Sequence, residues 1–148
     1  MKLSKKEKVI GIVLAALLFL ITLSSTWFFL GQMKVSLPEW VVMNSCSPTS
    51  YLYLVCFVIF LITRKSVLLP VAFLPIWFLG TMAMFYVPWN ADMMIAHVGH
   101  IIMTLNLAWV VWTMVSHREY KSLATGLLIS IVWSVPYITY VLANGNTI

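Results

Sequence analysis

The chain has 148 residues, 62% of them hydrophobic and 9% charged, with a net charge of +5. Soluble domains carry about 25% charged residues, so no stretch here is polar enough to form a soluble catalytic domain. The cations flank apolar runs instead of forming a basic face, which excludes nucleic-acid binding and points to one membrane domain with short tails.

The first apolar run follows Lys5-Lys6-Glu7-Lys8 and extends from about Val9 to Leu30. A signal-peptide core is about 7–15 residues long. This run continues through Trp27, Phe28, Phe29 and Leu30 without an A-x-A site, so it reads as an uncleaved span. Gly31 to Cys46 is the longest connection and is apolar for a loop, with Val35, Leu37, Trp40, Val41 and Val42. It is expected to lie on the interface or to fold over the bundle mouth. Ser47-Pro48 reads as N-cap and N1 of a short second span ending at Thr63, before Arg64-Lys65. Cys46 precedes that span and Cys56 lies inside it, too far along a helix for a disulfide.

The third span is predicted over Val67–Val87, with Pro70 harmless in its first turn. Pro75 is interior and should free a carbonyl that a neighbour must satisfy. Pro88 to Asp92 connects to a fourth span over Met93–Ser116. His117 to Lys121 forms the next turn, and the fifth span covers Ser122–Ala143 with Pro136 inside it. Asn144-Gly145-Asn146 reads as a C-cap and tail. Trp77 and Trp133 lie deeper than the other aromatics, which gather at interface levels. Packing is the simple account of both, and the carbonyls freed by Pro75 and Pro136 are candidate acceptors for their indole N–H groups.

The predicted fold is therefore all-α, a polytopic membrane bundle of five transmembrane helices forming a single domain over residues 1–148. Lys2, Lys5, Lys6, Lys8, Arg64, Lys65, Arg118 and Lys121 fall on one side, and Lys34 alone on the other. The positive-inside rule then puts the N-terminus inside and the C-terminus outside. The expected location is a bacterial or archaeal cytoplasmic membrane. The lipid bilayer is the first partner, with a homo-oligomer or a larger membrane complex beyond it.

No Asp, Glu, Lys or Arg lies within the five predicted spans. That excludes an intramembrane Schiff-base lysine, a buried proton-coupling carboxylate and an arginine voltage sensor. The fourth span carries His97, His100, Thr104 and Asn106, with Asp92 at its start. At about 100° per residue the two histidines and Thr104 share a sector roughly 60° wide, beside the small residues Ala96 and Gly99. Such a face belongs in a bundle interior. His97 and His100 sit in the half of the membrane near Asp92 and are expected to be open to ligands from that side.

Two imidazoles can ligate a transition metal, with Glu39, Cys46, Asp92 or Met93 as candidates to complete the set. A b-type haem is less favoured, because its axial ligands come from opposite faces; Met82 or Met84 would have to partner one histidine. The plain alternative is two neutral histidines hydrogen-bonded across helices. These features suggest a small transport or solute- or metal-binding subunit. The alternatives are a non-catalytic accessory or immunity-type protein acting through a protein partner, or an electron-transfer subunit holding haem or metal. No acid–base–nucleophile set is visible, which argues against an enzyme.

Overall fold

The computed structural model describes residues 1–91 and 93–145. Two expectations, Asp92 as a ligand and Asn146 in the tail, fall outside the described residues. Among the described residues, six helices form the structure: α1 (Lys5–Gln32), α2 (Leu37–Met43), α3 (Cys46–Thr63), α4 (Ser66–Tyr86), α5 (Met94–Ser116) and α6 (Tyr120–Gly145). All but the short α2 are long and apolar enough to cross a membrane.

Local chemistry sets the helix ends. Ser4 caps α1, its Oγ accepting from the Glu7 N–H while the Glu7 carboxylate accepts the Ser4 N–H at 2.7 Å. Glu39 does the same at the start of α2, accepting from both the N–H and the hydroxyl of Ser36 at 2.7 Å. The helix α3 starts at Cys46, one residue after its cap Ser45, so Ser47 is not the N-cap. Pro48 still sits in the first turn, where a missing N–H costs nothing. The last turns of α1, Trp27–Gln32, widen into a π-helix. Arg64 ends α3 in the left-handed region at φ 61°.

The exposure pattern is inverted relative to a soluble bundle. Large apolar side chains such as Leu20, Ile62 and Val132 face outward, while Ser47, Ser50, His97, Asn106, Thr113 and Ser130 are buried. That is the arrangement a bilayer selects, since lipid solvates apolar surface and polar groups must find partners inside. The helix α1 packs between α3 and α5; α4 packs on α3, α5 and α6; and α2 bridges towards α6. Small residues set the approaches. A Cβ on Gly11 would lie 2.5 Å from the Trp109 ring, and one on Gly126 would lie 2.6 Å from the Val67 carbonyl oxygen. The interior is filled by Leu18, Tyr53, Phe57, Phe60, Ile76, Met103, Val110 and Met114.

The expectation for the third span needs correction. The helix α4 is broken: a 3₁₀ turn over Ser66–Leu68, turns through residues 69–72, a short α-helix Phe73–Ile76, a π-helix Trp77–Thr81 and a last turn Ala83–Tyr86. Pro70 therefore lies in the break, and Pro75 lies in the first turn after it. The backbone groups left open are met by α6. Trp133 donates its indole N–H to the Val71 carbonyl at 2.8 Å, the oxygen that Pro75 cannot reach with an N–H. The Ser130 hydroxyl accepts from the Leu74 N–H at 3.0 Å. The helix α6 itself runs unbroken through Pro136.

The end of the bundle holding the N-terminus is tied by polar contacts. The Met1 amine donates to the Arg64 carbonyl at 2.8 Å. Ser66 and Ser122 both donate to the Glu119 carboxylate at 2.9 Å. His117 Nε2 lies 3.1 Å from both carboxylate oxygens of Glu7. Glu7, which the sequence places in a polar tail, is in fact buried in the first turn of α1.

Candidate functional site

His97 and His100 project from the first two turns of α5 at the far end of the bundle, opposite the N-terminus. Both are buried, with His97 at 0% exposure, so the expectation of an open mouth does not hold. The cover is the Pro88–Trp89 segment. Trp89 stacks flat on His97, with ring centroids 3.9 Å apart and planes within 5°. Trp89 is itself held by its indole N–H on the Met84 carbonyl at 2.9 Å.

The contact with Pro88 settles the His97 tautomer. Its Nε2 lies 3.1 Å from the Pro88 carbonyl oxygen, which can only accept, so Nε2 carries the proton. The other nitrogen, Nδ1, then presents a lone pair. It is buried and has no hydrogen-bond partner among the described residues, and the same holds for Nδ1 of His100. The two rings meet edge to face, centroids 5.9 Å apart. A buried acceptor left without a donor costs about 1–3 kcal/mol.

The other predicted residues have different surroundings. Thr104 donates to the His100 carbonyl at 2.8 Å, and its oxygen lies 3.0 Å from the Thr81 hydroxyl of α4. Asn106 lies deeper, donating its amide to Leu14 O at 3.2 Å and Ile102 O at 2.9 Å, with Oδ1 unpartnered among the described residues. It ties α5 to α1. Glu39 is exposed and engaged in the α2 cap. Cys46 donates weakly to Asn44 Oδ1 at 3.5 Å, and both cysteines are free thiols. Met93 is 42% exposed at the cap of α5. Among the described residues, no group of three or more His, Cys, Asp or Glu side chains is placed to hold a metal ion.

Pro88, Trp89 and Thr81 are the participants that sequence reasoning missed. Trp89 reads from sequence as one of several interface aromatics. Only its position eight residues before a histidine hinted otherwise, and that spacing has no periodic meaning when a loop intervenes. Elsewhere, an open groove of about 460 Å³ runs along α4 and α5, lined by Phe73, Trp77, Thr81, Thr104, Val111 and Trp112 among others.

No protein family matches the chain, no curated protein matches it, and no solved structure matches its fold.

Proposed function

We propose that this integral membrane protein is a binding subunit that holds one small ligand between His97 and His100, beneath the Pro88–Trp89 segment. The observation that carries this reading is the pair of buried Nδ1 atoms with no hydrogen-bond partner among the described residues, that of His97 presenting a lone pair. An imidazole lone pair takes either a hydrogen-bond donor or a Lewis acid. The ligand class is therefore a small proton-donating solute or a soft metal ion. Metal-ligating histidines commonly donate their other ring N–H to a backbone carbonyl, as His97 does to Pro88. Two imidazoles are too few for a closed tetrahedral zinc site, which favours a soft ion of low coordination number such as Cu(I). A haem between the two is disfavoured: both rings come from one helix and stand at 79° to each other, not on opposite faces of a macrocycle.

Metal analysis of detergent-purified protein, followed by titration with Cu(I) and Ag(I), tests the proposal. Wild type should take up close to one ion per chain, and His97→Ala/His100→Ala should take up none while keeping its helical circular dichroism. A wild type that binds neither ion, and whose thermal unfolding no small proton-donating solute raises, sinks the reading. The groove between α4 and α5 favours a second reading, an accessory protein that receives a partner's membrane helix. The same purification would reveal it as a stoichiometric companion chain.

A further inference from the structure

We propose that the N-terminal end of the bundle is a binding surface for anionic phospholipid, one headgroup lying between Lys5 and Lys6 with its acyl chain along Val9 and Ile10. Eight cationic side chains are exposed at this end: Lys2, Lys5, Lys6, Lys8, Arg64, Lys65, Arg118 and Lys121. The two carboxylates at the same end are turned to internal work. Glu7 is buried against Ser4 and His117, and Glu119 accepts from Ser66 and Ser122. The ion pairs among the described residues are His117 with Glu7 and the Met1 amine with Glu119, so no Lys or Arg side chain is paired. The surface charge at this end is thus positive without compensation from acidic side chains.

Within that field lies a shallow, largely apolar groove. Lys5, Lys6, Val9 and Ile10 line its volume of about 340 Å³ on one face of α1. Positions four apart stack along a helix, so each lysine stands above one apolar residue. Val9 and Ile10 are 53% and 45% exposed. Charge at the rim and an apolar floor running into the span match a phosphodiester headgroup above an acyl chain. A soluble acidic peptide would satisfy the lysines but not the floor. Lysines act as mobile point charges without the planar fork of arginine, so the groove selects negative charge and not a particular headgroup.

The full chain, reconstituted in phosphatidylcholine vesicles, is probed with spin-labelled phosphatidylglycerol and spin-labelled phosphatidylcholine. Each lysine near an anionic surface contributes roughly fivefold, so the two together should prefer phosphatidylglycerol by about twenty-fivefold at low salt. The preference should fall towards parity in molar salt, where the Debye length shrinks to about 3 Å. It should fall likewise in Lys5→Gln/Lys6→Gln, persist in Lys5→Arg/Lys6→Arg and be unchanged in Lys34→Gln at the far end. Equal restriction of both lipids by wild type, or an undiminished preference in a double glutamine variant that keeps wild-type helicity, would overturn the proposal.

Discussion

Glu119 sits in the turn between α5 and α6, where the Ser122 and Ser66 hydroxyls donate to it and hold its carboxyl below the usual carboxylate range. The sign of the pH effect follows. Above the ordinary value of about 4.3 both folded and unfolded chains carry the charge, and the stabilisation is complete. As the pH falls through that value the unfolded chain takes up the proton first, and stability is lost down to the folded value. Glu119→Gln should therefore flatten the acid limb. Thermal unfolding followed by tryptophan fluorescence in detergent at pH 7 and pH 4 checks this; a wild type losing no more stability than the variant would count against it. The side chain is 28% exposed, so solvent screening keeps the effect modest. None of this was legible from the turn His117-Arg118-Glu119-Tyr120-Lys121, which looks like any charged connection. The partner Ser66 is 53 residues away. His97 teaches the same at the other end: its place on a small polar face could be read from the helical period, its cover by Trp89 could not.

The helix α4 shows what one element demands of another. Pro75 announces a free carbonyl, and Trp133 is a deep indole in need of an acceptor, so this pairing was a candidate from sequence. The break across residues 69–72 was not. It requires a second donor–acceptor contact, Ser130 to Leu74, because irregular backbone at membrane depth survives only where neighbours satisfy it. Trp133→Phe should remove the donor to Val71 and cost about 1 kcal/mol. That lies above the roughly 0.6 kcal/mol average for interhelical side-chain bonds in membranes and at the low end of the roughly 1–3 kcal/mol for stranding a buried acceptor. Trp77→Phe is the comparison, since Trp77 is 42% exposed on the outer face of the same region and should change little. Denaturant unfolding of both variants in detergent separates the cases; equal losses would show that indole packing, not the hydrogen bond, is what α4 needs.

Across the whole molecule, five helices are long and apolar enough to cross a membrane, and an odd number of crossings would put the two termini on opposite sides. The cation distribution predicts which is which: a reporter at the N-terminus should read cytoplasmic and one at the C-terminus external. Both reporters on one side would mean that a span is re-entrant, with the broken α4 the first suspect. The sequence by itself determined the fold class and the five apolar segments, because hydropathy and length are properties of contiguous residues; the flanking cations make the sidedness a prediction for the reporters. It also placed both histidines on one interior face, because a helix repeats with a fixed period. Only the tertiary structure decided which polar atoms meet. His117 reaches Glu7 across 110 residues, Asn106 reaches Leu14 across 92, and Trp133 reaches Val71 across 62. No local pattern encodes the register between two packed helices. That register is set by the fit of small residues such as Gly11 and Gly126 against their neighbours, and by the need of every buried polar group for a partner.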